Sequence, residues 1–300
     1  MKRSVLIANP KAGQGGQERR KEAIEQFCVL MKARGFDVDV RNTAGPNDAR
    51  RLAAEAAREG FPEVIVSGGD GTINEALQGL VGTGVRMAVW PRGTANVLGI
   101  ELQLPRRIER LVDVIAAGGV QRAHVGCVTI ENTGEQRYFL LMAGIGIDAA
   151  IVERVKPGLK KRVGKAAFWY SGLENFAMWR PRQFGLEIDG QQHTATFAAL
   201  GKTPRYGGNL AITPRARLDS PNFEICMIHS VYRLRYLKLL PFAMFGGIPE
   251  GMKGISYLRA SHVRATGHDV LAQVDGELIG ALPMTFAVTP HVIEVVTGVS

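Results

Sequence analysis

Cysteine is scarce in this 300-residue chain: Cys28, Cys127 and Cys226 are far apart, odd in number and set among apolar residues. That pattern excludes a disulfide framework or a cysteine metal site and reads as three reduced core thiols. Long apolar runs are missing too. Arg, Lys, Pro or Gly interrupts every stretch before the roughly 18 to 20 residues that would span a bilayer. The basic start, Met1-Lys2-Arg3, leads only into the four-residue apolar run Val5 to Ala8, too short for the core of a secretion signal. A soluble, cytoplasmic protein is therefore expected. The six His are scattered without metal-ligand spacing. No zinc-finger pattern occurs, nor the aromatic signature of a single-strand binder, so nucleic acid is not an expected partner. Internal repeats, low-complexity stretches and long linkers are absent as well.

What is present is the composition of a packed protein, with 46% hydrophobic and 22% charged residues. The length suits two domains of ordinary size better than one oversized core. A formal net charge of +9 asks for an anionic partner, which leaves a nucleotide or the acidic face of a membrane.

Up to about residue 122, short β-rich runs alternate with helical patterns, as in a parallel sheet covered by helices. Val5 to Ala8, Phe36 to Val40, Val64 to Ser67 and Met87 to Trp90 are the expected strands. Ala23, Phe27, Leu30 and Met31 recur at helical spacing, as do Ile108, Leu111, Val112 and Ile115, and Gly35, Gly60 and Gly118 stand where helix caps belong. Residues 1–122 thus read as a Rossmann-like α/β nucleotide-binding domain. Residues 123–300 read as a mainly β, sandwich-like domain whose last strand could pack back on the first. Its expected strands are Tyr138 to Met142, Phe184 to Ile188, Thr194 to Leu200, Phe223 to Ile228, Val270 to Val274 and Met284 to Val288. Asp189-Gly190 signals a hairpin, and helices are expected near Lys165 to Trp179 and Leu234 to Phe245.

The strongest chemical signal is the strand Val64 to Ser67 running into Gly68-Gly69-Asp70-Gly71-Thr72 and then a helix. Glycines let the backbone approach phosphate oxygens, and a helix N-terminus adds free N–H groups and a favourable dipole. Glu75 has two readings, a nucleotide contact or the partner of Thr72 in a capping box. Asp70 likewise is either a turn residue or a carboxylate serving a metal. Two further strand-to-loop junctions, Asn9-Pro10-Lys11-Ala12-Gly13 and Arg92-Gly93-Thr94-Ala95-Asn96, put glycines and polar groups at the same edge, where open α/β sheets bind ligands.

Together these motifs resemble the catalytic domain of the diacylglycerol kinase, sphingosine kinase and bacterial lipid kinase family. Gly144-Ile145-Gly146-Ile147-Asp148, Tyr206-Gly207-Gly208 and Asp275-Gly276-Glu277 extend the resemblance over nearly the whole chain. It implies ATP and Mg2+ as cofactors, an active site in the cleft between the two domains, and a lipid hydroxyl as phosphoryl acceptor. Asn9, Thr43, Gly69, Glu75 and Thr94 are the implied nucleotide contacts, with Lys11, Gly13, Gly68, Gly71, Thr72, Gly93 and Asn96 in the same loops. Asp275 is implied as general base and Glu277 as its assistant through magnesium, and Asp70, a carboxylate beside three glycines at a phosphate site, is read as a catalytic metal ligand. The chemistry agrees, since phosphoryl transfer to an alcohol needs a carboxylate for the proton and a cation for the phosphate charge. Asp275-Gly276 also fits a plain hairpin turn. The wider superfamily includes kinases of soluble substrates such as NAD, and a catalytically silent nucleotide-binding protein is the other alternative.

The chain departs from the family in two places. Leu218-Asp219-Ser220 stands where bacterial diacylglycerol kinases tend to read Asp-Asp-Gly-Leu at a structural magnesium, so with Ser220 in place of the second acidic ligand a metal is not expected to be held at the Asp219 to Glu224 loop with the affinity usual for the family. Val97 follows Asn96 where Asp is usual. A lipid substrate also requires contact with a membrane, and anionic lipid suits the net charge. One candidate is the cluster Lys156, Lys160, Lys161, Arg162 and Lys165 before Phe168, Trp169 and Tyr170. The other is Arg233, Arg235 and Lys238 among Tyr232, Leu234, Tyr236, Leu237, Leu239 and Leu240, which reads equally as a helix covering a sheet.

Overall fold

The structure, a computed structural model, describes residues 1–146, 181–206 and 210–298. Two compact units emerge, Met1–Val125 with Thr289–Ser300, and Gly126–Val288.

In the first unit strands and helices alternate: β1 (Lys2–Ala8), α1 (Gln17–Ala33), β2 (Phe36–Asn42), α2 (Asp48–Arg58), β3 (Glu63–Gly68), α3 (Asp70–Leu80), β4 (Arg86–Pro91), α4 (Val97–Glu101) and α5 (Ile108–Ala117). The strands pair in the order β2-β1-β3-β4, all parallel. Val5 to Ala8 and Val64 to Val66 are fully buried, as unbroken apolar runs must be when helices cover both sheet faces. Phe27 and Met31 of α1, Leu52 of α2, Leu77 of α3 and Leu111 of α5 supply the covering side chains. Gly35, Gly60 and Gly118 all take positive φ at helix ends. The four expected strands and these caps are all present.

The chain leaves the first unit within β5 (Val120–Ile130) and returns to it within the last strand. The second unit holds β6 (Gln136–Phe139), β7 (Met142–Ile145), β8 (Phe184–Ile188), β9 (Gln191–Ala195), β10 (Phe197–Gly201), β11 (Arg205–Tyr206), β12 (Leu210–Ala211) and β13 (Phe223–Ile228). After α6 (Arg233–Met244) come β14 (Ile255–Ala260), β15 (His262–Thr266), β16 (Leu271–Val274), β17 (Glu277–Ala281) and β18 (Met284–Val296). One antiparallel sheet runs β14-β13-β10-β7-β16-β17, and β15 pairs antiparallel with both β18 and β8. Phe139, Phe184, Phe223, Phe286 and Met227 share one core between these layers, with the Phe139 and Phe223 rings stacked 5.7 Å apart. The result is an α/β unit and an antiparallel sandwich-like unit.

Two expected strands are broken in the fold. Tyr138 to Met142 divides at Leu140-Leu141, and Thr194 to Leu200 divides at Thr196, whose hydroxyl turns to the Ile228 carbonyl. Asp189 and Gly190 form the expected hairpin, both with positive φ. The expected helix near Lys165 to Trp179 lies outside the described residues. Among the described residues no helix is long and apolar enough to cross a membrane.

Candidate active site

The loops after β1, β3 and β4 converge at the carboxyl edge of the parallel sheet, and hydrogen bonds tie each to the next. Asn9 N–H donates to the Ser67 carbonyl (2.9 Å), Arg92 N–H to the Gly68 carbonyl (2.8 Å), and Gly13 N–H to the Arg92 carbonyl (3.0 Å). The Asn9 amide also donates to Thr72 Oγ1 (3.1 Å), while its Oδ1 accepts from Lys11 N–H (2.9 Å). Thr43 joins this edge through its N–H on the Ala8 carbonyl (2.9 Å).

At the centre two glycines meet. A Cβ built on Gly93 would lie 2.6 Å from the Gly69 Cα and 2.9 Å from Asn96 Oδ1, so only glycine fits this approach of two backbones. Asn96, in the left-handed region at φ 51°, closes the loop by accepting from Gly93 N–H (2.7 Å) and donating to the Gly93 carbonyl (2.9 Å). α3 begins at Asp70 with Gly69 as its N-cap and no side chain capping it. Its first turn therefore offers uncapped N–H groups and the positive end of a helix dipole. This corrects the capping-box reading of Thr72 and Glu75. Both residues lie inside the helix, because the extended Gly69 already makes the turn, and the Thr72 hydroxyl faces Asn9 instead.

Asp70 holds the third loop. Its Oδ1 accepts from Val97 N–H (2.9 Å) at the start of α4. Burial raises its carboxyl above the usual carboxylate range, against the lowering by the N–H groups of Val97, Leu98 and Asn96. The turn-residue reading, in which Asp70 bonds locally, thus misses its main partner 27 positions away. A carboxylate under such desolvation gains from a cation beside it, and magnesium needs only one or two protein carboxylates when phosphates supply the rest. Asp70 fits that donor set.

Arg92 is a residue the sequence reading left without a role. Its guanidinium lies 4.8 Å from the Trp90 ring centre, and Trp90 stacks on Phe27 at 4.6 Å. It stands against Gly13, and burial followed by the nearby Arg20 charge lowers its pKa. No acidic side chain pairs with it among the described residues. Arg20 braces the first loop by donating to the Gly15 and Pro10 carbonyls. A half-buried guanidinium against the Gly13 loop has the chemistry to hold an anion. Lys11, Gly71 and Thr94 are exposed.

In the second unit Asp275 and Gly276 form the turn between β16 and β17, with φ 48° and 84°. The Asp275 carboxylate reaches across the sheet. Oδ2 accepts from Leu140 N–H (3.0 Å), and Oδ1 from Leu141 (2.9 Å) and Met142 (3.0 Å). These bonds explain the break between β6 and β7, since the N–H groups of Leu140 and Leu141 turn to a side chain. Glu277 is half-exposed, 4.0 Å from Arg137. Gly144 and Gly146 lie at the end of β7, whereas Asp148, Gly207 and Gly208 lie outside the described residues.

Comparison with known proteins agrees with both halves of this picture. Residues 3–128 match the diacylglycerol kinase catalytic domain, and residues 142–297 match the YegS C-terminal NAD kinase beta sandwich-like domain. A diacylglycerol kinase of Mycobacterium tuberculosis (strain ATCC 25618 / H37Rv) is 30% identical over 97% of this chain and 94% of its own length. The chain belongs to the diacylglycerol kinase family. A Staphylococcus carnosus (strain TM300) diacylglycerol kinase is also 30% identical, over 99% of this chain and 95% of its own. A crystal structure of a diacylglycerol kinase from Bacillus anthracis str. Sterne shares the fold, with a TM-score of 0.75 at 20% identity over 99% of this chain and 97% of that one.

As a member of this lipid kinase family the chain can be tested for the structural magnesium site, and its residues do not fit one. The Asp219 carboxylate is held by Arg217 (2.7 Å), which lowers its pKa, and the buried Glu224 is held by Arg215. Lys202, inaccessible to solvent, donates its ammonium to the Ser220 carbonyl. A cation built into the chain already occupies the loop. Among the described residues no group of three or more His, Cys, Asp or Glu could hold a metal.

Proposed function

We propose that this chain transfers the γ-phosphoryl group of ATP to a hydroxyl of a membrane-derived lipid, diacylglycerol or a related alcohol. The observation that carries the reading is the contact of Gly69 with Gly93 beside the uncapped start of α3, in a chain of this family. Asn9, Thr43, Gly69, Glu75 and Thr94 contact the nucleotide. The N–H groups of α3's first turn and the Arg92 guanidinium carry the phosphate charge. Asp70 and Glu277 are the residues that would hold magnesium, which would supply neutralisation of the charge developing on the transferring group. Asp275 takes the proton of the lipid hydroxyl, and its three backbone bonds fix where that carboxylate stands. The enzyme works as a cytoplasmic protein bound peripherally to the membrane.

The nucleotide half of the proposal is tested by titrating ATP against wild type and Gly93→Ala. An added Cβ must push the two loops apart, and a misplacement of that order should weaken ATP binding by about 100-fold. Gly119→Ala is the control, because its Cβ would meet only the Thr297 carbonyl at 3.8 Å. ATP binding by Gly93→Ala at wild-type strength, or none by wild type, contradicts the proposed cradle.

A further inference from the structure

The outward face of α6 is apolar. Of the 13 exposed large hydrophobic residues among the described ones, seven lie between Val231 and Phe245. Tyr232, Leu234 and Phe245 are 77%, 65% and 86% exposed. Within the helix only Leu239 and Ala243 are buried among the described side chains, and Tyr236 anchors it through a 2.6 Å bond between its hydroxyl and Thr196 Oγ1. Leu234, Leu237, Pro241 and Phe245 follow at steps of three and four residues, so they form one stripe on the solvent side. An ordinary surface helix presents its polar face there.

The charges along this segment have one sign. Arg233, Arg235 and Lys238 lie in α6, and no Asp or Glu occurs between Ser230 and Pro249. Lys238 is exposed and has no acidic partner among the described residues. A second copy of the chain is a poor occupant for such a face, because a two-fold contact would set cations against cations. A surface that accepts aromatic and aliphatic side chains at its boundary and is itself negative fits both properties.

We infer that α6 and its flanks are the membrane-docking surface of this protein, with an anionic lipid bilayer as the partner. The inference rests on the lipid-substrate reading above and names the element that brings the enzyme to that substrate. It takes up both expectations for residues 234–240, since Tyr236, Leu239 and Ala243 face the unit and the opposite stripe is left for lipid. The 156–165 cluster lies outside the described residues.

The test is co-sedimentation of the full chain, without ATP, with vesicles of phosphatidylglycerol in phosphatidylcholine and with phosphatidylcholine alone. The variant L234Q/L237Q/F245Q changes only exposed side chains, and circular dichroism and melting verify its fold. Partition onto the anionic vesicles should fall about 100-fold in this variant, and about fivefold or more in Lys238→Glu. Unchanged partition in the triple variant overturns the inference, as does failure of wild type to bind anionic vesicles. Sedimentation of wild type as a dimer that the triple variant dissolves would also overturn it, by making the face a self-interface. Phosphorylation of a short-chain, water-soluble lipid is measured separately. Its loss in wild type would defeat the lipid-kinase reading and leave the docking result standing.

Discussion

Asp275 shows how one side chain can hold both the fold and the chemistry. A base standing free in a site could become Asn without cost to stability. Here Asn would turn its amide NH2 toward backbone N–H donors at Leu140 or at Leu141 and Met142, so at least one part-buried bond is replaced by a clash of donors. Asp275→Asn should therefore lose about 1–3 kcal/mol of stability as well as roughly 10² to 10⁴ in turnover. Glu277→Gln should lose turnover with little change in melting, because its ion pair with Arg137 is 4.0 Å long and only half-buried, and such pairs contribute little. Melting curves and phosphoryl-transfer rates for both variants are the check. Asp275→Asn melting like wild type contradicts the clamp, and near-normal turnover contradicts the base. The Asp-Gly turn was legible from two adjacent residues. Its partners were not, because Leu140 lies 135 positions away and nothing local marks its N–H as needing an acceptor. A separation of 27 positions likewise hid the role of Asp70 toward Val97, whereas Arg92 sits on Trp90 only two positions away, a contact set by the direction the side chains take and not by spacing.

At the level of elements, loops between strands carry the departures from family pattern. Ser220 marks the Asp219 to Glu224 loop as one acidic side chain short of the family pattern. Nothing in the sequence showed that Lys202, just after β10, sends its ammonium to the Ser220 carbonyl there. Burial lowers the Lys202 pKa to about 8, partly offset by Asp219. In the unfolded chain a lysine titrates near 10.4. The depressed value contributes stability that is complete above the unfolded pKa and is lost as pH falls through about 8. Relative to Lys202→Met, wild type should thus gain on the order of 3 kcal/mol between pH 8 and 10.5, and EDTA should leave its melting temperature unchanged. Denaturant unfolding of both proteins across that range is the measurement. A gap that stays constant with pH, or a melting temperature that drops with EDTA, would contradict the built-in cation. Strands with unbroken apolar runs, such as β1 and β3, were legible because burial on both faces leaves no other reading. β5, β14 and β15 were not, since their mixed sequences depend on neighbouring strands for their burial.

For the whole molecule, a glycine cradle for phosphate in the first unit, a sandwich with a fixed carboxylate in the second, and a basic, apolar helix on its surface belong to one account. The net charge of +9 suits both a nucleotide and an anionic bilayer, and the vesicle affinity attributed to α6 should fall as salt screens it. The family follows from motifs spread over the chain. The acceptor does not, because apolar pockets discriminate weakly between lipid tails and one carboxylate serves any primary hydroxyl. The most direct test of the central claim is to incubate the full chain with γ-labelled ATP, magnesium and a total lipid extract, with NAD in a parallel reaction, and to identify the labelled product by mass spectrometry. Label is expected in an organic-extractable lipid phosphate, formed by wild type and nearly absent with Asp275→Asn. Label in NADP, or none beyond background in either reaction, would contradict it.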